Sequence, residues 1–267
     1  YEPTVIFNAI ITGNVETVRC LIESGKWERN CHIRTEEGDS PLILAVRQGH
    51  LEVVGCLLAN GASVSDTDNN GSTSMLLAAS QGRLDIVECL LMNGACASDR
   101  DKGGMTALLH AVYEGYLELA QCLLANGASV SEKNNEGDTA LLLAANQGHL
   151  DIVEYLLANR SSLLEKNKEG SSALLLASSR GHLDVVECLF VNGGNVSDVD
   201  NDGDTALLVA TANGRTATVE WLLDHGVAIN AQNFNGATAL YKCAEEGYLE
   251  ITRLLIARGA DMDLRLQ

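Results

Sequence analysis

Eight cysteines and six histidines are the residues of this 267-residue chain best equipped for chemistry. Thiolate and imidazole are common zinc ligands, and a thiol beside an imidazole makes an activated nucleophile. Their spacing points elsewhere. Cys56, Cys89 and Cys122 recur every 33 residues, and Cys20 and Cys188 fall in the same series. Tyr155, Trp221 and Leu254 occupy that position in other copies. A position that accepts Cys, Tyr, Trp and Leu is a packing position. His50, His149 and His182 form a second series, shared with Arg83, Tyr116, Arg215 and Tyr248. Adjacent helices lie about 8–10 Å apart, beyond the roughly 7 Å between Cα atoms that a disulfide tolerates. Cys31, Cys96 and Cys243 stand outside the series, with no Cys-x-x-Cys or His-x-x-x-His spacing. No Ser-His-Asp grouping and no Gly-x-x-x-x-Gly-Lys phosphate loop is present. The expectation is a chain that is not an enzyme, with no catalytic residue, metal or cofactor. Free thiols in this number suit a reducing compartment, the cytoplasm or the nucleus.

The ruler behind these series is glycine. Gly38, Gly71, Gly104, Gly137, Gly170, Gly203 and Gly236 stand at an interval of 33, each followed eleven residues later by a second glycine, Gly49 to Gly247. A fixed period of this length marks a stacked repeat array. The copy from Asn134 to Lys166 is the clearest. Asn-x-x-Gly is turn chemistry. Thr139 stands where a helix N-cap is wanted. ALLLAANQ reads as a short helix broken by Gly148, and LDIVEYLLAN as a second helix with Leu150, Val153, Leu156 and Leu157 at helical spacing. Asn-Gly closes that helix in most copies. Such a unit cannot bury its apolar faces alone, and stacking buries them between neighbours.

The pattern Gly-x-Thr-Ala-Leu-Leu-x-Ala, followed by Gly-His-Leu-Asp/Glu-x-Val-x-x-Leu-Leu-x-x-Gly-Ala, resembles the ankyrin repeat family along essentially the whole chain. The resemblance implies an all-α ankyrin-repeat solenoid of helix-turn-helix units with hairpin tips, about eight repeats in one array over 1–267. The boundaries read as 1–34, 35–67, 68–100, 101–133, 134–166, 167–199, 200–232 and 233–267. The first copy is three residues longer, in the connection holding Lys26, Trp27 and Glu28. The family's Thr-Pro-Leu-His becomes Thr-Ala-Leu-Leu, with Ile43, Leu76, Leu109, Leu142, Leu175, Leu208 and Tyr241 at the His position. Apolar packing is expected to replace the polar bracing that His supplies. Thr216 replaces a leucine and Arg160 a helix-ending glycine, so local fraying is expected in those two copies.

Formal net charge is −18, which disfavours nucleic acid and anionic lipid and favours a basic partner. No segment approaches the roughly 20 apolar residues of a membrane span, and the first residues lack the basic stretch of a signal peptide. Apolar residues at both ends, Val5 to Ile11 and Ile251 to Ile256, lead us to expect further repeats or another domain alongside. The family resemblance implies partner binding on the concave side, formed by tips and first helices. There Glu36, Glu37, Asp39, Glu114, Glu136, Asp138, Glu169, Asp202, Asp204, Glu245 and Glu246 face only Arg47, Lys102, Lys168 and Arg180. Met105, Tyr113 and Phe234 are the apolar anchors expected among them. The partner expected is another protein or a Lys/Arg-rich peptide, bound by a monomer or a part of a longer chain. The alternative is the recruitment arm of a larger enzyme or effector whose catalytic domain lies elsewhere.

Overall fold

A computed structural model describes residues 2–26 and 32–263. Trp27, Glu28 and Cys31 lie outside the described residues. Sixteen α-helices and no strand form among the described residues, with isolated bridges at Thr67–Thr73 and Val199–Thr205. They fall into two compact units, residues 1–135 and 136–267.

The first unit holds α1 (Glu2–Ile11), α2 (Val15–Leu21), α3 (Pro41–Gln48), α4 (Leu51–Ala59), α5 (Ser74–Ser80), α6 (Leu84–Met92), α7 (Ala107–Glu114) and α8 (Leu117–Ala125). The second holds α9 (Ala140–Gln147), α10 (Leu150–Ala158), α11 (Ala173–Arg180), α12 (Leu183–Val191), α13 (Ala206–Ala212), α14 (Thr216–Asp224), α15 (Ala239–Glu246) and α16 (Leu249–Ala257). Within each unit the helices come in pairs. First helices pack on the first helices of the next pair, and second helices on second helices. Each unit is therefore a helical repeat solenoid.

Helices of seven to ten residues are marginal alone, so their ends and neighbours must hold them. In the first unit, Ser40, Thr73 and Thr106 accept the backbone N–H of Ile43, Leu76 and Leu109. In the second, Thr139, Thr205 and Thr238 accept those of Leu142, Leu208 and Tyr241. Ser172 makes no cap bond, and its hydroxyl is buried without a partner. The leucines at the family's His position carry the core: Leu76, Leu109, Leu142, Leu175 and Leu208 are at most 2% exposed.

Five of the second helices end alike. Asn60, Asn93, Asn126, Asn159 and Asn192 each donate Nδ2 to the carbonyl four residues back, at 2.8 Å. The next residue is left-handed. Arg160, at φ 65°, is the one non-glycine residue with positive φ among the described residues. That conformation costs an L-residue roughly 1–2 kcal/mol, partly offset because glycine is floppier when unfolded.

Arg160→Gly should therefore raise stability by about 0.5–1 kcal/mol. Thr139→Ala should lower it by about 1 kcal/mol. Ser172→Ala, which removes a buried hydroxyl with no partner, should leave it within about 0.5 kcal/mol of wild type. Urea unfolding of the three variants beside wild type measures all of these.

Candidate functional site

The tips build themselves from side chains. Asp68 Oδ1 accepts the N–H groups of Asn70 and Ser72, both at 2.9 Å. Asp200 does the same for Asp202 and Asp204, and Asn233 for Asn235 and Ala237. Consecutive tips are then laced together. In the first unit, Asn135 donates its backbone N–H to Gly103 O and its Nδ2 to Lys102 O, each at 2.9 Å. In the second, Asn201 donates its N–H to Glu169 O at 2.9 Å and its Nδ2 to Lys168 O at 2.8 Å. Gly104 is required there on two grounds. Its φ is 74°, and a Cβ would stand 2.8 Å from the Asn135 nitrogen.

The histidine series has a related task. His182 Nε2 lies 3.2 Å from the carbonyl of Asn146, at the end of α9. Arg215 Nε donates to Ser179 O at 3.1 Å, and in the first unit His50 Nε2 lies 3.0 Å from Ile11 O. A carbonyl only accepts, so these ring nitrogens carry the proton. The ring of His182 lies on Gly148, where a Cβ would be 2.5 Å from Nδ1. The polar bracing expected to be missing is therefore present at other positions, beside the apolar packing.

Cys243 is buried, and Cys56, Cys89, Cys122 and Cys188 of the periodic series are half-buried. Burial pushes the Cys89, Cys122, Cys188 and Cys243 thiols above their ordinary range, aided by Asp85 for Cys89, by Glu88 for Cys122, and by Glu154 for Cys188. Cys20 and Cys96 are exposed. No group of three or more His, Cys, Asp or Glu able to hold a metal occurs among the described residues. No helix there is long and apolar enough to cross a membrane.

The candidate contact residues differ in what they already do. In the first unit, Glu36, Tyr113 and Glu114 are exposed. Asp39 is only 2% exposed, with its two carboxylate oxygens on Arg47 Nε and Nη2 at 2.8 Å. Arg47 also reaches Asp68 at 3.2 Å. The hydrogen bonds it donates to Asp39 raise the guanidinium's pKa, against the opposing pull of burial. Met105 is half-buried, and its sulfur lies 3.8 Å from Asn134 Nδ2.

In the second unit, Glu136, Asp202, Glu245 and Glu246 are exposed and Phe234 is 72% exposed. Asp138 is half-buried and accepts Asn167 Nδ2 at 3.0 Å. Asp204 accepts Asn233 Nδ2 at 2.7 Å and faces Lys242 Nζ at 3.5 Å. Asp39, Asp138 and Asp204 thus brace the fold as well as lending charge.

The second unit also brings some of these residues together. A groove of about 220 Å³ is lined by Glu136, Asp138 and Glu169 from the tips, by Asn146 and Arg180 from α9 and α11, and by Leu143 and Leu176. Arg180 Nε donates to Asn146 Oδ1 at 3.0 Å. The groove thus combines three carboxylates, a cation, amides and two leucines. The leucines escaped the sequence reading. Their signal was present, because the same position holds Leu44, Leu77, His110, Val209 and Lys242 elsewhere. A position that alternates between apolar and charged is not sealed in a core.

Stacked helical pairs, side-chain-built tips and a mixed groove define a repeat protein of the interaction class. A family model described as "Ankyrin repeats (3 copies)" matches residues 1–68, 57–134, 111–200 and 174–265. The chain belongs to the ankyrin repeat family. Ankyrin repeats are generally protein–protein interaction modules, and the fold is typically non-catalytic. A search of curated proteins finds no match.

A raised thiol pKa means less thiolate at a given pH. At pH 8, iodoacetamide should modify exposed Cys20 and Cys96 first. Cys89, Cys122, Cys188 and Cys243 should lag and catch up as pH rises. Mass spectrometry of a labelling time course at pH 7.5 and 9 checks the order.

Proposed function

We propose that this chain binds a basic segment of a partner protein, with the groove of the second unit as a principal contact. The carrying observation is the three carboxylates, Glu136, Asp138 and Glu169, set over Leu143 and Leu176. A lysine or arginine side chain has matching chemistry, with an aliphatic stem for the leucines and a charged head for the acids. Arg180, lining the same groove, disfavours a second cation close by and suits a carbonyl or carboxylate of the same segment.

Net charge alone would be weaker support, because acids also line the second helices. Glu52, Asp85, Glu118, Asp151, Asp184 and Glu250 occupy first turns there. At those places a carboxylate offsets the positive end of the helix dipole. Glu169 and Asp202 have no such local task. Both are exposed, with no side-chain partner among the described residues. They are charges set towards solvent, where they steer an incoming cation. In the first unit, Glu36 and Glu114 add acid, and Tyr113 adds an aromatic anchor of the kind that dominates interface energy. The compartment this reading favours is the cytoplasm, or else the nucleus.

A labelled hexa-arginine peptide titrated by fluorescence anisotropy tests the proposal. Binding should weaken steeply between 50 mM and 500 mM salt, as exposed charges become screened. The double variant Glu136→Lys/Glu169→Lys should bind at least about tenfold more weakly, a loss of about 1.4 kcal/mol, with an unchanged unfolding midpoint. Equal affinity for wild type and the reversed variant would sink the assignment.

A further inference from the structure

Among the tips of the second unit, one sets an aromatic ring at the position that faces the preceding tip. Phe234 occupies the position that Lys168 and Asn201 hold in the two preceding tips. Its backbone is laced as theirs are and donates N–H to Asp202 O at 3.0 Å. Its side chain adds nothing to the lacing, since a phenyl ring cannot make the bond that Asn201 Nδ2 makes to Lys168 O. The ring instead lies against Gly203, where a Cβ would stand 2.8 Å from Cδ1, and the residue remains 72% exposed. Folding gains little from an aromatic ring left in water at a place where asparagine would add a hydrogen bond.

The surroundings select the visitor. Asp202, whose carbonyl receives the Phe234 N–H, is exposed. Asp204 lies on the other side of Gly203 in the same tip. An exposed ring on an acidic tip matches a planar cation, which stacks on the π-face while its edge turns to Asp202, since Asp204 is already held by Asn233 and Lys242. A hydrocarbon side chain would use the ring but not the acids, and an anion would be repelled by both.

We infer that Phe234 is a stacking platform for an arginine guanidinium of the partner, with Asp202 as its counter-charge. This rests on the basic-partner reading and adds a second contact away from the groove. Arginine is favoured over lysine, because only the guanidinium is flat and weakly hydrated.

The test uses the full chain with labelled hexa-arginine and hexa-lysine peptides. Wild type should bind hexa-arginine more tightly. Phe234→Asn, which restores the lacing residue, should weaken hexa-arginine about fivefold, the value of an exposed cation–π contact. It should narrow the preference over lysine and leave the unfolding midpoint at or above that of wild type. Phe234→Leu should lose as much, because it keeps apolar area but has no ring. Unchanged hexa-arginine affinity in either variant overturns the platform. If the Glu136→Lys/Glu169→Lys variant still loses binding in that case, the groove reading survives alone. If neither peptide binds wild type, both readings fall.

Discussion

Close approach between consecutive repeats is the constraint on which this fold rests. At the Gly104 tip, the backbone nitrogen of Asn135 comes so near that a Cβ would overlap it at 2.8 Å, and that nitrogen is bonded to Gly103 O. At the end of α9, the His182 ring fills the space a Cβ of Gly148 would occupy. An N–H left without a partner in such a place costs about 1–3 kcal/mol. One methyl group at either site therefore sets steric overlap against a hydrogen bond. The 33-residue interval keeps such approaches in register, although their closeness varies: an added Cβ would meet its nearest neighbour at 2.5 Å at Gly104 but at 3.5 Å at Gly71. Stability is then a sum of nearest-neighbour terms over units that could not fold alone.

Charge is distributed according to the same local logic. Asp85, Asp151 and Asp184 each accept the N–H of the next residue in the first turn of a second helix. Asp39 is buried against Arg47, and Asp204 is drawn into the Asn233 bracket. Removing these carboxylates would disturb folding before it disturbed recognition. The acids that remain for a partner are those whose side chains stand clear of such brackets, with Glu169 and Asp202 the plainest. A formal charge of −18 is therefore a poor guide to where a cation would dock, and the bonding state of each carboxylate a better one.

Much of the fold was legible in the sequence because its determinants are local. A turn needs Asx and glycine three positions apart, and a short helix needs a hydroxyl just before it. Both recur at a fixed interval, and the period also turned Cys89 and Cys122 from candidate ligands into packing groups. The site was legible only in part, because its determinants are not local. The burial of Asp39 depends on Arg47, eight residues on and across a helix end. The part Leu143 plays depends on Leu176 and Glu136 closing around it. His182 reads as variable in its series, yet at His50, His182 and Arg215 the position supplies a flat side chain that donates to a carbonyl. Histidine and arginine both meet that description, and the alphabet of one-letter types hides it.

Nearest-neighbour stability also explains where function can be placed on such a chain. A departure at one position affects only the units it touches, so its cost stays near that of a single interaction, about 1 kcal/mol for a cap or a strained residue. Arg160 and Ser172 lie twelve positions apart, either side of one tip. The helices that flank them, α10 and α11, nevertheless keep their full length and a buried core. The neighbouring pairs on either side hold such faults in place. That tolerance is what permits Phe234 to abandon the lacing residue without loss of its backbone bond. A fold that needed each tip to be identical would have no surface free to vary. One that fixes glycine, cap and core leucine leaves the remaining tip positions open to whatever a partner requires.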